Sequence, residues 1–182
     1  KQIYEGYQFF DENTLYYPAR DLLFYQSDIH SNALTRERLS VVQALIEHRP
    51  VTVVTTMDAL MNRVPPLSSY ERGIFTIDLE ETVDLDEMRK KLVMLGYENV
   101  TQVEHPGEFA VRGGIVDIFP LTEEHPIRME LWGDEIHSLR YFDVATQKSI
   151  DSVEHVTVYP AMELVLTPEE IRAALDAGAM DA

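Results

Sequence analysis

The clearest pattern of apolar and polar positions lies between Gly107 and Asp143. Two runs rich in Ile, Val and Phe, G-E-F-A-V-R-G-G-I-V-D-I-F-P and I-R-M-E-L-W-G-D-E-I-H-S-L-R-Y-F-D, are closed by turn signals at Pro120 and at Gly133-Asp134. They predict a small antiparallel meander. Alternation in the second run places Ile127, Met129 and Leu131 on one face and Arg128, Glu130 and Trp132 on the other. The first face is core. The second carries an Arg, a carboxylate and the single Trp of the chain. An exposed aromatic beside an Arg has the composition of a protein–protein contact, since both bury much area and make directed polar contacts. The plain alternative is a Trp folded over a sheet edge, with Arg128 paired to Glu130 or Glu135.

Around this meander the pattern predicts mixed elements. Y-Q-F-F and T-L-Y-Y, between Ile3 and Tyr17, read as a pair of short strands ended by Pro18; Asp21–Tyr25 reads as a turn of helix, and the polar stretch to Asn32 as loop. Thr35 is placed as the N-cap of a helix whose Leu39, Val42, Leu45 and Ile46 recur at helical spacing until Arg49-Pro50. Val51–Thr55 is β-branched throughout and reads as a strand buried on both faces. A short helix over 58–63 leads to Pro65-Pro66, which marks a domain boundary. Beyond it, 74–79 predicts a strand. Asp84 with Glu87 caps a helix with the stripe Leu85, Met88, Leu92 and Leu95, stopped by Gly96. Val153–Tyr159 predicts a further strand, and Thr167-Pro168 opens a last helix. The fold class is α/β in the wider α+β sense: a partial parallel α/β layer over 1–66, a small antiparallel-sheet domain with packed helices over 67–160, and the start of a helical segment over 161–182.

Composition narrows the function. With 182 residues, 45% of them apolar, the chain is long enough for a substantial core. Fifteen basic against thirty-two acidic side chains give a net charge of −17, a field that repels a nucleic-acid backbone, and no basic patch overrides it. The absence of Cys excludes disulfides and thiolate metal sites and fits a reducing compartment. No apolar run approaches the length of a membrane span, so a cytoplasmic location is expected. The chain begins at Lys1, not Met, and reads as a piece of something longer.

Catalytic signals are thin. Arg112-Gly113-Gly114 lacks the spacing of a phosphate-binding loop, and a Gly pair inside a strand reads as a bulge. The six His are scattered without metal-ligand spacing. Doublets such as Glu80-Glu81, Glu123-Glu124 and Asp134-Glu135 read as solvated turn residues before paired acid/base groups.

The run from Gly107 to Pro120, then P-I-R-M-E-L-W-G-D-E-I over 126–136 and R-Y-F-D over 140–143, closely resembles the module shared by bacterial transcription-repair coupling factors and the excinuclease component UvrB. The continuation V-A-T-Q-K-S-I over 144–150 resembles the coupling factors more, and weaker similarity extends back through Leu15–Pro18 and Thr35–Thr56. In that family the module binds UvrA, the damage-recognition ATPase of the excinuclease, through its sheet face. The resemblance implies three contact residues: Arg112 in the R-G-G run, Arg128 and Trp132, the last usually Phe in the family.

It also implies that 1–66 is part of a degenerate helicase-like domain and that another domain of the parent chain can cover the same patch. The DNA-gripping aromatic hairpin of UvrB, inserted near Tyr16–Gln26, is absent, so direct nucleic-acid binding is not expected. The parent's ATP-driven motor lies outside this sequence, so no cofactor is expected here. The reading is a binding module that recruits UvrA to stalled RNA polymerase, without catalysis of its own. The alternatives are an ATP- or DNA-dependent enzyme fragment of the UvrB type and a purely architectural packing module.

Overall fold

The computed structural model describes residues 2–20, 28–62, 64–167, 169–173 and 176. In chain order the elements are α1 (Gln2–Gln8), β1 (Thr14–Tyr17), α2 (Asp28–Ile46), β2 (Thr52–Thr55), α3 (Met57–Met61), α4 (Leu67–Glu71), β3 (Phe75–Asp78), α5 (Leu85–Met94), β4 (Glu98–Asn99), β5 (Glu108–Arg112), β6 (Ile115–Ile118), β7 (Ile127–Trp132), β8 (Glu135–Phe142), β9 (Ser149–Ser152) and β10 (His155–Val158). The mixture is α+β.

β1 and β2 pair in parallel, with Leu15 opposite Val53. α2 lays Val41 and α3 lays Ala59 against Tyr17, forming a small core with Leu15 and Ala19. Thr56 caps α3, its side chain accepting a hydrogen bond from the Ala59 N–H. Three expectations fail here. The first predicted strand is the end of α1, Tyr7-Gln8, and the turn after it, Phe9-Phe10: among the described strands β1 pairs with β2 alone, so Y-Q-F-F has no ladder to join, and the Phe10 and Asp11 N–H groups donate to the Tyr7 carbonyl instead. α2 begins at Asp28, well before Thr35, because no Gly or Pro interrupts the chain from there to Ile46. β2 is half exposed and not buried on both faces, since α1 and α2 pack on β1 and leave Val53 37% exposed. The helical turn expected over Asp21–Tyr25 lies outside the described residues.

The larger part is a six-stranded sheet in the order β4-β5-β6-β7-β8-β9, antiparallel from β5 onward, with β4 parallel to β5. Arg112 pairs with Ile115, so Gly113-Gly114 forms the two-residue turn between β5 and β6 and not the bulge expected from sequence. Gly113 supplies the positive φ of 61° that such a turn demands. A bulge falls between β7 and β8, where Glu130 pairs with Ser138 and Leu131 with Ile136, leaving His137 as the extra residue, and the register shifts again between β8 and β9.

One face of the sheet is packed. Phe109, Val116, Ile118, Ile127, Met129, Ile136 and Leu139 meet Met88 and Leu92 of α5 and its C-cap Leu95, together with Ile77 of β3 and Val156 and Val158 of β10. The predicted stripe of α5 is therefore its buried face, and Asp84 caps it by accepting from the Asp86 and Glu87 N–H groups. β3 pairs antiparallel with β10, as a separate ribbon against this core.

A second small core, Leu39, Val42, Tyr70 and Leu121, joins α2 to the sheet-bearing part. There Arg38, 1% exposed, donates to the Glu163 carboxylate, the Pro18 carbonyl and the Tyr17 hydroxyl, and stacks 4.1 Å over the Tyr17 ring. Every donor group of a buried guanidinium is costly to leave unpaired, and this clasp spans 125 residues of sequence. The final predicted helix opens with Thr167 and Glu170 bonding each other's backbone N–H groups.

Candidate functional site

The other face of the sheet carries charge. Register sets Ala110 beside Asp117, Asp117 beside Arg128 and Arg128 beside Arg140 across four strands. Loop residues Val103, Phe119 and Val144 cover this face around Ala110. The remainder holds Arg112, Asp117, Arg128, Glu130, Ser138 and Arg140, with basic and acidic groups interleaved.

At its centre is Asp117, whose side chain is 1% exposed. Arg128 grips it with two parallel bonds, Nε to Oδ1 at 2.7 Å and Nη2 to Oδ2 at 2.8 Å. Arg112 adds a third, Nη2 to Oδ2 at 2.6 Å. Arg128 also donates to Gln147 Oε1 at 2.8 Å and lies 4.1 Å over the buried Phe142 ring. Hydrogen bonding to Asp117 holds the Arg128 guanidinium above its usual pKa against the opposing effect of burial. The two arginines differ in exposure: the Arg128 side chain is 12% accessible and the Arg112 side chain 42%.

Next along the face, Arg140 makes a two-pronged bond to Glu130 and a 2.8 Å bond to Ser138 Oγ. That bonding pulls the Glu130 carboxyl below its usual pKa. Trp132 stands at the end of β7, before the Gly133-Asp134 turn, 80% exposed. Its ring meets His137, the bulge residue, edge-on at 5.7 Å and 84°.

The structure thus brings Arg112 and Arg128 together on one carboxylate and sets Trp132 further along the same face, with Glu130 between. Arg128 pairs with Asp117, and not with the Glu130 or Glu135 considered from sequence. Sequence reasoning missed Asp117, Gln147, Phe142 and Arg140. A signal for Asp117 was present: it is the one ionisable residue in the apolar strand I-V-D-I, where a charge requires a partner.

Residues 75–164 match the family model of the UvrB interaction domain. They belong to that family. The match spans the β3–β10 ribbon, α5 and the whole six-stranded sheet, so every residue of the charged face lies within the UvrB interaction domain. Over 166 residues the chain is 34% identical to the transcription-repair-coupling factor of Bacillus subtilis (strain 168), covering 91% of this chain and 14% of that protein. It is 38% identical over 166 residues to the transcription-repair-coupling factor of Staphylococcus aureus (strain Mu50 / ATCC 700699), with the same coverage. The chain therefore spans about one seventh of the length of these relatives.

Among the described residues no group of His, Asp and Glu is arranged to hold a metal ion. No described helix is long and apolar enough to cross a membrane.

Proposed function

We propose that this chain is the partner-docking module of a transcription-repair coupling factor and that it receives UvrA on the outer face of its six-stranded sheet. Arg112, Arg128 and Trp132 are the contact residues, and docking brings the repair machinery to stalled RNA polymerase. The observation that carries this reading is the charged face itself, where a clamped pair of arginines shares a sheet surface with an 80% exposed Trp. Exposed aromatic and Arg anchors on a rigid sheet are the residue types that dominate binding energy.

Residues 67–160 act as the docking unit, 1–66 as part of a helicase-like α/β domain and 161–182 as the start of the next helical segment. The module works without a cofactor, without nucleic-acid contact and in the cytoplasm. In the parent protein another domain covers the patch until docking is required.

Titration calorimetry with purified UvrA tests this. Trp132→Ala should weaken binding about thirtyfold, as truncation of a central aromatic anchor costs about 2 kcal/mol. Arg112→Ala should weaken it about tenfold, the loss expected of a contact nearer the rim. Wild-type affinity in both variants would move the interface off this face.

A further inference from the structure

Asp117 sits between Val116 and Ile118, both fully buried, in a strand that has no other charge. Its two oxygens collect three N–H donors from two arginines. Gln147 completes the arrangement from outside the strands. Its backbone is held at φ 58°, its Nε2 donates to the Val144 carbonyl at 2.8 Å, and its Oε1 accepts from Arg128 Nη2 at 2.8 Å. With Phe142 beneath the guanidinium, Arg128 is fixed in plane and in register. Nε and Nη2 are used; among the described residues Nη1 has no acceptor.

We infer that Asp117 and Gln147 are positioning residues: they hold the Arg112 and Arg128 guanidinium groups in a docking-ready arrangement whose spare donors meet a carboxylate on the partner. This rests on the docking function proposed above and assigns the partner's chemistry at that site. A mobile Arg must surrender rotamer freedom when it docks, whereas one clamped during folding has already done so, and its contact forms at lower cost. The planar fork of Arg favours a carboxylate as acceptor.

Charge and position make opposite forecasts. Asp117 cancels one of two positive charges. If the arginines acted as bare charges, Asp117→Asn would expose more positive potential and tighten binding to an acidic acceptor. Positioning requires the reverse, because the Asn amide offers one acceptor oxygen where three donors now converge.

Calorimetry with UvrA is run on wild type, Asp117→Asn, Gln147→Leu, Arg112→Ala and Trp132→Ala, below the melting temperature of each. Proton–nitrogen spectra of the Arg Nε–H groups are recorded on the free proteins. Asp117→Asn should bind about tenfold more weakly and Gln147→Leu about threefold, in line with a loss of preorganisation. The Arg128 Nε–H signal should move to the position of solvent-exposed arginines in Asp117→Asn. Adding Arg112→Ala to Asp117→Asn should cost less than the two single losses combined.

Wild-type or tighter binding by Asp117→Asn overturns the inference while the normal losses in Arg112→Ala and Trp132→Ala leave the docking site standing. Undiminished binding by those two variants overturns the site and this inference with it. If Asp117→Asn melts below the assay temperature, Gln147→Leu decides, since it leaves the buried carboxylate paired; unchanged affinity there counts against positioning.

Discussion

Replacing Arg128 with Ala should cost far more stability than replacing Arg112, although both bond the same carboxylate. Arg128→Ala removes a side chain that is 12% exposed and leaves Asp117, 1% exposed, with Arg112 alone. It also removes the bond to Gln147 and the stacking on Phe142. Deleting one partner of a buried ion pair costs about 3–5 kcal/mol, because the remaining charge is stranded in a medium of low dielectric. Arg112 still gives Asp117 one charge-assisted bond, which sets the loss at the low end, about 3 kcal/mol. In a domain of this size each kcal/mol lowers Tm by about 2–4 °C, so the drop should be about 6–12 °C.

The Arg112 side chain is 42% exposed and makes one bond, and without it Asp117 keeps both bonds from Arg128. Losing one half-exposed donor from a carboxylate that stays paired should cost about 1 kcal/mol, so Arg112→Ala should lower Tm by about 2–4 °C. Differential scanning calorimetry at about pH 7 on the three proteins decides. An unchanged Tm for Arg128→Ala would refute the burial argument, and a larger drop for Arg112→Ala than for Arg128→Ala would reverse the assignment of the anchor. One consequence bears on binding assays: affinity lost in Arg128→Ala mixes a missing contact with a loosened sheet, whereas Trp132→Ala reports the contact.

Burial raises the Glu163 carboxyl, but hydrogen bonds from Arg38 and Arg20 outweigh it and leave a lowered pKa; the stabilisation is therefore complete above the unfolded value near about pH 4.3 and is lost as pH falls through the folded one. The Tm advantage of wild type over Glu163→Gln should hold at about pH 6–7 and shrink below about pH 4, and a constant gap would contradict this. Burial pushes the Glu123 carboxyl upward, with the Glu47 charge adding to it and Arg36 opposing, so the ionised form is the destabilised one and stability is gained on acidification. Glu123→Gln should raise Tm at about pH 7, with the gain vanishing below about pH 4; a lower Tm at neutral pH would show that the carboxylate is held by something stronger than its burial suggests. A Cβ at Gly114 would lie 2.9 Å from the Leu131 carbonyl oxygen, a backbone atom that cannot move aside, while Gly113 has open space and only its φ of 61° to lose. Gly114→Ala should cost about 1–3 kcal/mol and Gly113→Ala about 1 kcal/mol in urea denaturation, and the reverse order would discount the contact.

Local periodicity and turn chemistry were enough to place several features before any fold was known. Alternation at 127–132 separates Ile127 and Met129, both 1% exposed, from Trp132, 80% exposed, because a strand's side chains must point to opposite faces. Asp84, the α5 stripe and the turn at Gly133-Asp134 belong to the same class, since each is decided within a few residues.

Long-range packing decided the rest. Whether Val51–Thr55 is buried depends on what packs over it, which no β-branched run encodes. Y-Q-F-F had no neighbouring strand to bond with and became the end of α1, Tyr7-Gln8, and the turn after it, Phe9-Phe10. The partner of Arg128 was settled by strand register, which puts Asp117 directly opposite it, eleven residues away in sequence, while Glu130 is claimed by Arg140 from the next strand. Local pattern tells which face a charge occupies; only the pairing of strands tells which charge it meets, and so which arginine is held by several partners and which by one.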